Sequence, residues 1–434
     1  MTARELTVQA LLKMEHDGYS NLVFDALRKE HSLSKQDTAF AAALFYGCVE
    51  RKLTLDKMIG RFSSVPVGKL DRTVLQLLRI SLYQIFYMET PDSAVVNESV
   101  KLAKKLGKTR LSGFLNGVLR SVLRDKARAN ELPKEPVAAL SFEYSCPEPL
   151  IRMWDKHYGR ERTKAMLKAS LGQPPLFIRA NTLRTTPEEL ISLLKQEGIE
   201  ASRHPQLANC LKLSHAGAVE HSECFAKGLF HVQDAASQLC VQALGAKPGE
   251  RIFDMCAAPG GKSFTIAEQM DNTGTLFSFD IHPHRVKLIK EGAARLGLKI
   301  IRATAHNAVE YEESLGRADR ILCDVPCSGF GSIRRKPEIK YKPLDEVKNL
   351  PEIQYNILET SAKYLKAGGV LLYSTCTLSH HENEKVTARF LAEHSDFAAS
   401  PFEGDDGEEH PGQLTLFPDE THDGFFLQRF EKLR

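Results

Sequence analysis

Asp254-Met255-Cys256-Ala257-Ala258-Pro259-Gly260-Gly261-Lys262 is the stretch that decides the fold. The apolar run 251–256 enters it as a buried strand, and a helix follows it. The two glycines let backbone approach a ligand closely, and the start of the helix offers N–H groups without partners inside the helix. The loop is neither a Walker A sequence nor a Gly-x-Gly-x-x-Gly dinucleotide turn. Beyond it, strands and helices alternate. Residues 275–279 form a second strand that ends in Asp280. Residues 318–323 run into Asp324-Val325-Pro326-Cys327-Ser328, and residues 369–372 run into Tyr373-Ser374-Thr375-Cys376. Such alternation calls for an α/β architecture, a parallel sheet with helices on both faces. Ligands bind outside the carboxyl ends of its strands, and an acid about 20 residues past a glycine loop binds ribose hydroxyls. A nucleoside-containing cofactor is expected.

Two thiols reach the same sheet edge. A single cysteine is most often a small buried hydrophobe, and Cys323, inside its strand, is read that way. Cys327 and Cys376, at strand ends and one of them close to Asp324, point to covalent chemistry with a second acid–base group. His380-His381 has no third ligand in view, so no metal is expected. Ser379 and Glu382 have the spacing of a capping box that opens the next helix. Arg334, Arg335, Lys336, Lys340 and Lys342 follow the Pro-Cys loop and read as phosphate contacts. The stretch Glu403 to Asp423 holds eight acids and no Lys or Arg. It reads as a surface loop before a last strand at 425–430.

Upstream, residues 1–130 read as helical throughout. A Thr2/Glu5 capping box opens them, and turns at His16-Asp17-Gly18 and Thr90-Pro91-Asp92 punctuate them. They carry 21 Lys+Arg against 13 Asp+Glu, although the whole chain of 434 residues is only +3. Lys101, Lys104, Lys105, Lys108, Arg110, Arg120, Arg124, Lys126 and Arg128 face only Asp125 in the last third. That run is either a set of solvated helix faces or a patch that grips the phosphates of a nucleic acid. Residues 131–149 hold four prolines and read as a linker. A small mixed α+β region at 150–240 then precedes the α/β domain at 241–434. No apolar run is long enough to span a bilayer, and the first residues lack an apolar signal core. Nine cysteines, an odd count without a Cys-x-x-Cys pair, fit a reducing compartment. A cytoplasmic monomer is expected.

Three of these motifs resemble those of the S-adenosylmethionine-dependent RNA cytosine-C5 methyltransferases, the RsmB/NOP family: the loop 254–262, Asp324-Val325-Pro326-Cys327-Ser328, and Ser374-Thr375-Cys376-Thr377. The stretch 333–340 and the closing Asp423-Gly424-Phe425-Phe426 are similar to that group as well. The helical N-terminal region resembles the antitermination factor NusB, a layout of the bacterial branch that modifies 16S rRNA. The resemblance implies a class I, Rossmann-like methyltransferase domain behind an all-α NusB-like domain. It implies S-adenosyl-L-methionine as cofactor and 16S rRNA as partner, with no metal and no membrane. Its cofactor site comprises Cys256, Ala257, Ala258, Pro259, Gly260, Gly261, Lys262, Asp280, Asn307 and Asp324. Most relatives carry Asp where Asn307 stands, and Asn still accepts a hydrogen bond.

The same resemblance assigns the chemistry. Carbon 5 of cytosine is a poor nucleophile until a thiolate adds at carbon 6. DNA enzymes use the cysteine of Pro-Cys, which is Cys327 here. The RNA family uses that of Thr-Cys, which is Cys376, and Cys327 then assists breakdown of the adduct. Asp324 is implied at N3 of the base. A non-catalytic RNA-binding assembly factor is the competing reading; the cysteines, Asp324 and an intact glycine loop argue against it.

Overall fold

The structure is a computed structural model that describes all residues except 16–17, 32, 215–218, 405 and 434. The expected turn at His16 and Asp17 lies outside the described residues. The chain forms two compact units, Met1–Gln173 with Ile333–Leu344, and Pro174–Ser332 with Asp345–Arg434.

The first unit is helical. Thr2 and Glu5 do form a reciprocal capping box at the start of Ala3–Met14. The helix Arg72–Tyr87, capped by Asp71, is the central one. It buries Val74, Leu75, Leu77, Leu78, Ile80 and Leu82 together with the polar Gln76, Arg79, Ser81 and Gln84, as a helix surrounded by others does. Phe45, Leu55, Leu119 and Phe142 join the same core.

Phe142 belongs to the stretch expected to be a linker. Residues Pro136–Tyr144 are a helix. Glu135 caps it and Pro136 takes its first turn, where a missing N–H costs nothing. Pro147 and Pro149 likewise stand at the start of Glu148–Tyr158. Three of the four prolines therefore mark helix starts. The Arg61 guanidinium lies 4.6 Å over the Phe142 ring. Glu148–Tyr158 and Arg160–Ala169 group with the first unit.

The segment Ile333–Leu344 also packs into the first unit. Glu338 accepts from Ser20 N at 3.0 Å and Ser20 Oγ at 2.9 Å. Lys340 Nζ donates to the Glu50 carbonyl at 2.8 Å, and burial pulls its pKa down to about 8. Lys336 lies over the Tyr19 ring. Lys340 is therefore structural, contrary to the phosphate-contact expectation. Much of the basic run is also paired: Lys105 with Glu5, Lys108 with Asp71 and Lys126 with Asp92, each at 2.7 Å, and Lys101 with Glu98 at 2.9 Å.

The second unit opens with a small antiparallel sheet. Its strands β1 (Leu176–Ala180), β2 (Glu200–Arg203), β3 (Cys210–Ser214) and β4 (Phe230–Val232) lie in the order β2-β3-β1-β4. The helix Pro187–Gln196 covers it with Leu190 and Leu194. The large sheet contains β5 (Arg251–Asp254), β6 (Thr275–Asp280), β7 (Ile301–Ala305), β8 (Ala318–Asp324), β9 (Leu365–Thr375) and β10 (Phe397–Ala399). The expected acidic loop contains a short hairpin, β11 (Phe402–Glu403) with β12 (Glu409–His410), and then β13 (Gln413–Leu416). β13 pairs antiparallel with the last strand, β14 (Phe425–Lys432).

The large sheet runs β10-β14-β9-β8-β5-β6-β7. From β9 to β7 it is parallel, and β14 joins β9 antiparallel. Neighbouring residues face opposite cores: Ile252, Leu322 and Leu372 one, Phe253, Ile321 and Leu371 the other. Both faces are covered, which is why these strands read as unbroken apolar runs. Strand order reverses between β5 and β8, the point at whose carboxyl ends open α/β sheets bind ligands.

Candidate active site

Four strands end at that edge, in Asp254 (β5), Asp280 (β6), Asp324 (β8) and Thr375 (β9). The register puts Asp324 opposite Ser374. Cys327 and Cys376 each lie just past a strand and meet, Sγ to Sγ, at 3.3 Å. Sequence separation of 49 residues is closed by adjacent parallel strands.

A cation lies beside them. Lys262 Nζ donates to Asp324 Oδ2 at 2.8 Å, and Ser374 Oγ donates to Asp324 Oδ1 at 2.8 Å. Burial works against the Lys262 charge, but the Asp324 carboxylate outweighs it and raises the pKa. The two thiols diverge. The hydrogen bond with Cys327, helped by Lys262 and Ser332, lowers Cys376 despite its burial and the Asp324 charge. The bond to Cys376, then burial, then the Glu382 and Asp324 carboxylates raise Cys327. Of the two, Cys376 is therefore the more readily ionised. Cys323 is fully buried and donates to Ser361 Oγ at 3.2 Å, as a core residue does.

The glycine loop follows β5. Gly260 has φ +114°, and a Cβ there would stand 2.4 Å from the Phe264 ring. Only glycine fits. Gly261–Gln269 then begins as a helix without a side-chain cap. Asp254 is fully buried. Its Oδ2 accepts from Ser263 Oγ at 2.7 Å, whereas its Oδ1 has no side-chain partner among the described residues. Burial pushes its pKa up to about 7. Burial likewise raises the Cys256 thiol.

Asp280 is buried and already engaged. It accepts from His282 N at 2.9 Å and pairs with Arg285 at 3.0 Å. Arg285 also donates to the Ala258 carbonyl at 2.8 Å, tying the acid to the glycine loop; sequence reasoning had no signal for it. Asn307 stands past β7 and donates to Glu310 Oε1 at 2.7 Å.

Ser379 and Glu382 do not cap the next helix. Glu384–Glu393 starts after Asn383, with no side-chain cap. The Glu382 carboxylate turns instead to Ser328, beside Cys327. The capping spacing was present, but a tertiary partner took the side chain. Among the described residues no group of three or more His, Cys, Asp or Glu could hold a metal, and no helix is long and apolar enough to cross a membrane.

Three family models match the chain. Residues 241–431 match the model described as 16S rRNA methyltransferase RsmB/F. Residues 1–124 match the NusB family, and 146–220 a RsmF/B-like methyltransferase ferredoxin-like domain. A probable ribosomal RNA small subunit methyltransferase B of Bacillus subtilis is 41% identical over 91% of this chain and 89% of its own. Another, from Synechocystis, is 33% identical over 100% of both chains. The crystal structure of PH0851 superposes with a TM-score of 0.85 at 25% identity, covering 100% of this chain and 99% of that one.

Proposed function

The chain belongs to the 16S rRNA methyltransferase RsmB/F family, and on that premise we propose that it methylates carbon 5 of a cytidine in 16S rRNA, with Cys376 as nucleophile. The observation that carries this reading is the thiol pair. Cys376 has the lowered pKa, and its neighbour Cys327 the raised one. A thiolate is the reactive form of cysteine. Cys376 Sγ adds to carbon 6 of the ring, which makes carbon 5 nucleophilic. Asp324 faces the polar edge of the base, and its partner Lys262 offsets the negative charge the ring gains. After transfer, a water molecule takes the carbon 5 proton, and the electron pair of that bond re-forms the ring double bond and expels Cys376 as a thiolate. Cys327, 3.3 Å away, donates to the departing sulfur.

S-adenosylmethionine fits the residues present. The loop 256–262 with its uncapped helix start, the orphan Asp254 Oδ1 and the acid Asp280 form a polar cradle. Cys256 to Lys262, Asp280, Asn307 and Asp324 would hold it; when bound it supplies an electrophilic methyl group. The helical unit and the small sheet are read as RNA-contacting regions. A non-catalytic assembly role would leave the thiol pair and Lys262 without a task.

The test is methyl transfer to 16S rRNA lacking the modification. Cys376→Ala should abolish transfer. Cys327→Ala should accumulate a covalent RNA–protein adduct, seen as a slow band on a denaturing gel. A band from Cys376→Ala instead would reverse the two roles.

A further inference from the structure

Glu382 is 2% exposed and makes no ion pair among the described residues. Burying a carboxylate without a cation is costly unless hydrogen bonds replace its water. Three do. Ser328 N donates at 2.8 Å, Ser328 Oγ at 2.6 Å and Gln354 Nε2 at 3.0 Å. Gln354 Nε2 also donates to the Pro326 carbonyl at 2.9 Å. The residues on either side of Cys327 are thus both held, one by Glu382 and the other by Gln354, which Glu382 orients.

Asn383, next in the chain, does the same for Cys376. Its Oδ1 accepts from Thr375 Oγ1 at 2.7 Å, and its Nδ2 donates to the Thr377 carbonyl at 2.9 Å. The residues flanking Cys376 are therefore bracketed by one amide. Ser328 and Thr377 close the ring, with their hydroxyls 2.7 Å apart. Tyr373 Oη fixes the turn by donating to the Glu382 carbonyl at 2.6 Å.

We propose that Glu382 and Asn383 are positioning residues that divide the two half-reactions between them: Asn383 aims Cys376 for addition, and Glu382 holds Cys327 for release of the adduct. The dipeptide touches neither sulfur through a side-chain hydrogen bond. It acts through the residues next to each, and so sets the 3.3 Å approach. A misplacement of about 1 Å at a reacting group can cost about 100-fold. This proposal rests on Cys376 as nucleophile and Cys327 as the releasing group.

Substitutions of similar shape separate the roles. In Asn383→Asp the Thr375 bond survives, but a carboxylate oxygen meets the Thr377 carbonyl. In Glu382→Gln the amide can still accept from Ser328 N and donate to Ser328 Oγ, whereas Glu382→Ala frees the loop. Single-turnover assays on unmethylated 16S rRNA, denaturing gels, cofactor calorimetry and melting curves are run on each variant, with Cys376→Ala and Cys327→Ala as references. Asn383→Asp should lower kcat about 100-fold with cofactor affinity unchanged and no adduct band, even when combined with Cys327→Ala. Glu382→Ala should form adduct at the normal rate and accumulate it, and Glu382→Gln should restore turnover. Equal loss of adduct and of cofactor affinity in both, in step with a lower melting temperature, would mean a structural role only and overturn the proposal. Normal release in a folded Glu382→Ala variant would overturn it too. If Cys327→Ala itself gives no adduct, the underlying assignment fails, and the division of labour fails with it.

Discussion

Lys262 does two things that its place in a glycine loop does not foretell. It pairs with Asp324, and its charge favours the Cys376 thiolate. Replacing it with Met should raise the pH at which Cys376 is alkylated, towards the ordinary thiol value of about 8.5. Iodoacetamide labelling read by mass spectrometry across pH checks this; an unmoved midpoint would separate Lys262 from the nucleophile. Asp280 is held by Arg285 and His282 N. Asp280→Ala should weaken cofactor binding by roughly 1–3 kcal/mol, the cost of unpaired buried partners, measured by calorimetry with S-adenosylhomocysteine. Asp254 makes a pH prediction. Its pKa is raised from 3.8 to about 7 in the folded chain, so between those values the folded state binds a proton that the unfolded state has lost. Its contribution is complete below pH 3.8 and disappears as the pH rises through 7. Asp254→Asn should flatten the fall in stability of the cofactor-free protein over that window, measured by urea denaturation; an unchanged slope would place the proton elsewhere.

Among the elements, the helix Pro136–Tyr144 departs furthest from its sequence reading. Proline density resembles a linker, yet Pro136 and the Glu135 cap pre-form a first turn. Phe142 then enters the helical core, and the Thr54 hydroxyl donates to its carbonyl at 2.5 Å. If this helix is part of the bundle, Phe142→Ala should destabilise the first unit by about 3–5 kcal/mol. Thermal unfolding would show it, whereas a linker would leave the transition in place. The segment Ile333–Leu344 carries a similar lesson. Five basic residues in nine positions look like a phosphate site, but a lysine with four methylenes can also bury its stem and give its ammonium to a carbonyl. Lys340 does this with Glu50.

For the whole molecule, net charge hides where cations are free. Lys105 and Lys108, candidates for phosphate contact by sequence, are committed to Glu5 and Asp71. Lys104 and Arg110 have no carboxylate partner among the described residues. Reversing those two to Glu should weaken rRNA binding and flatten its salt dependence, by about 0.7–0.9 in slope per lost contact. Reversing Lys105 and Lys108 should mainly lower thermal stability by breaking pairs and opposing like charges. Binding isotherms at several salt concentrations, with melting curves, distinguish these outcomes. An identical slope in the Lys104/Arg110 variant would remove this face from the RNA-binding surface.

The sequence by itself determined the α/β sheet, the glycine loop, the acid ending β6 and the two cysteines at strand ends. Those features are local: an apolar run buried on both faces, a turn that only glycine permits, a residue one step past a strand. Tertiary structure decided what the side chains do once there. It paired Lys262 with Asp324, brought Cys327 and Cys376 into contact, turned Glu382 from a helix cap into the support of Ser328, and folded a proline-rich stretch into the helical core. Each outcome depends on a partner dozens of residues away. A hydrogen bond or ion pair made across that distance follows the packing of strands and helices, and spacing along the chain carries no record of it.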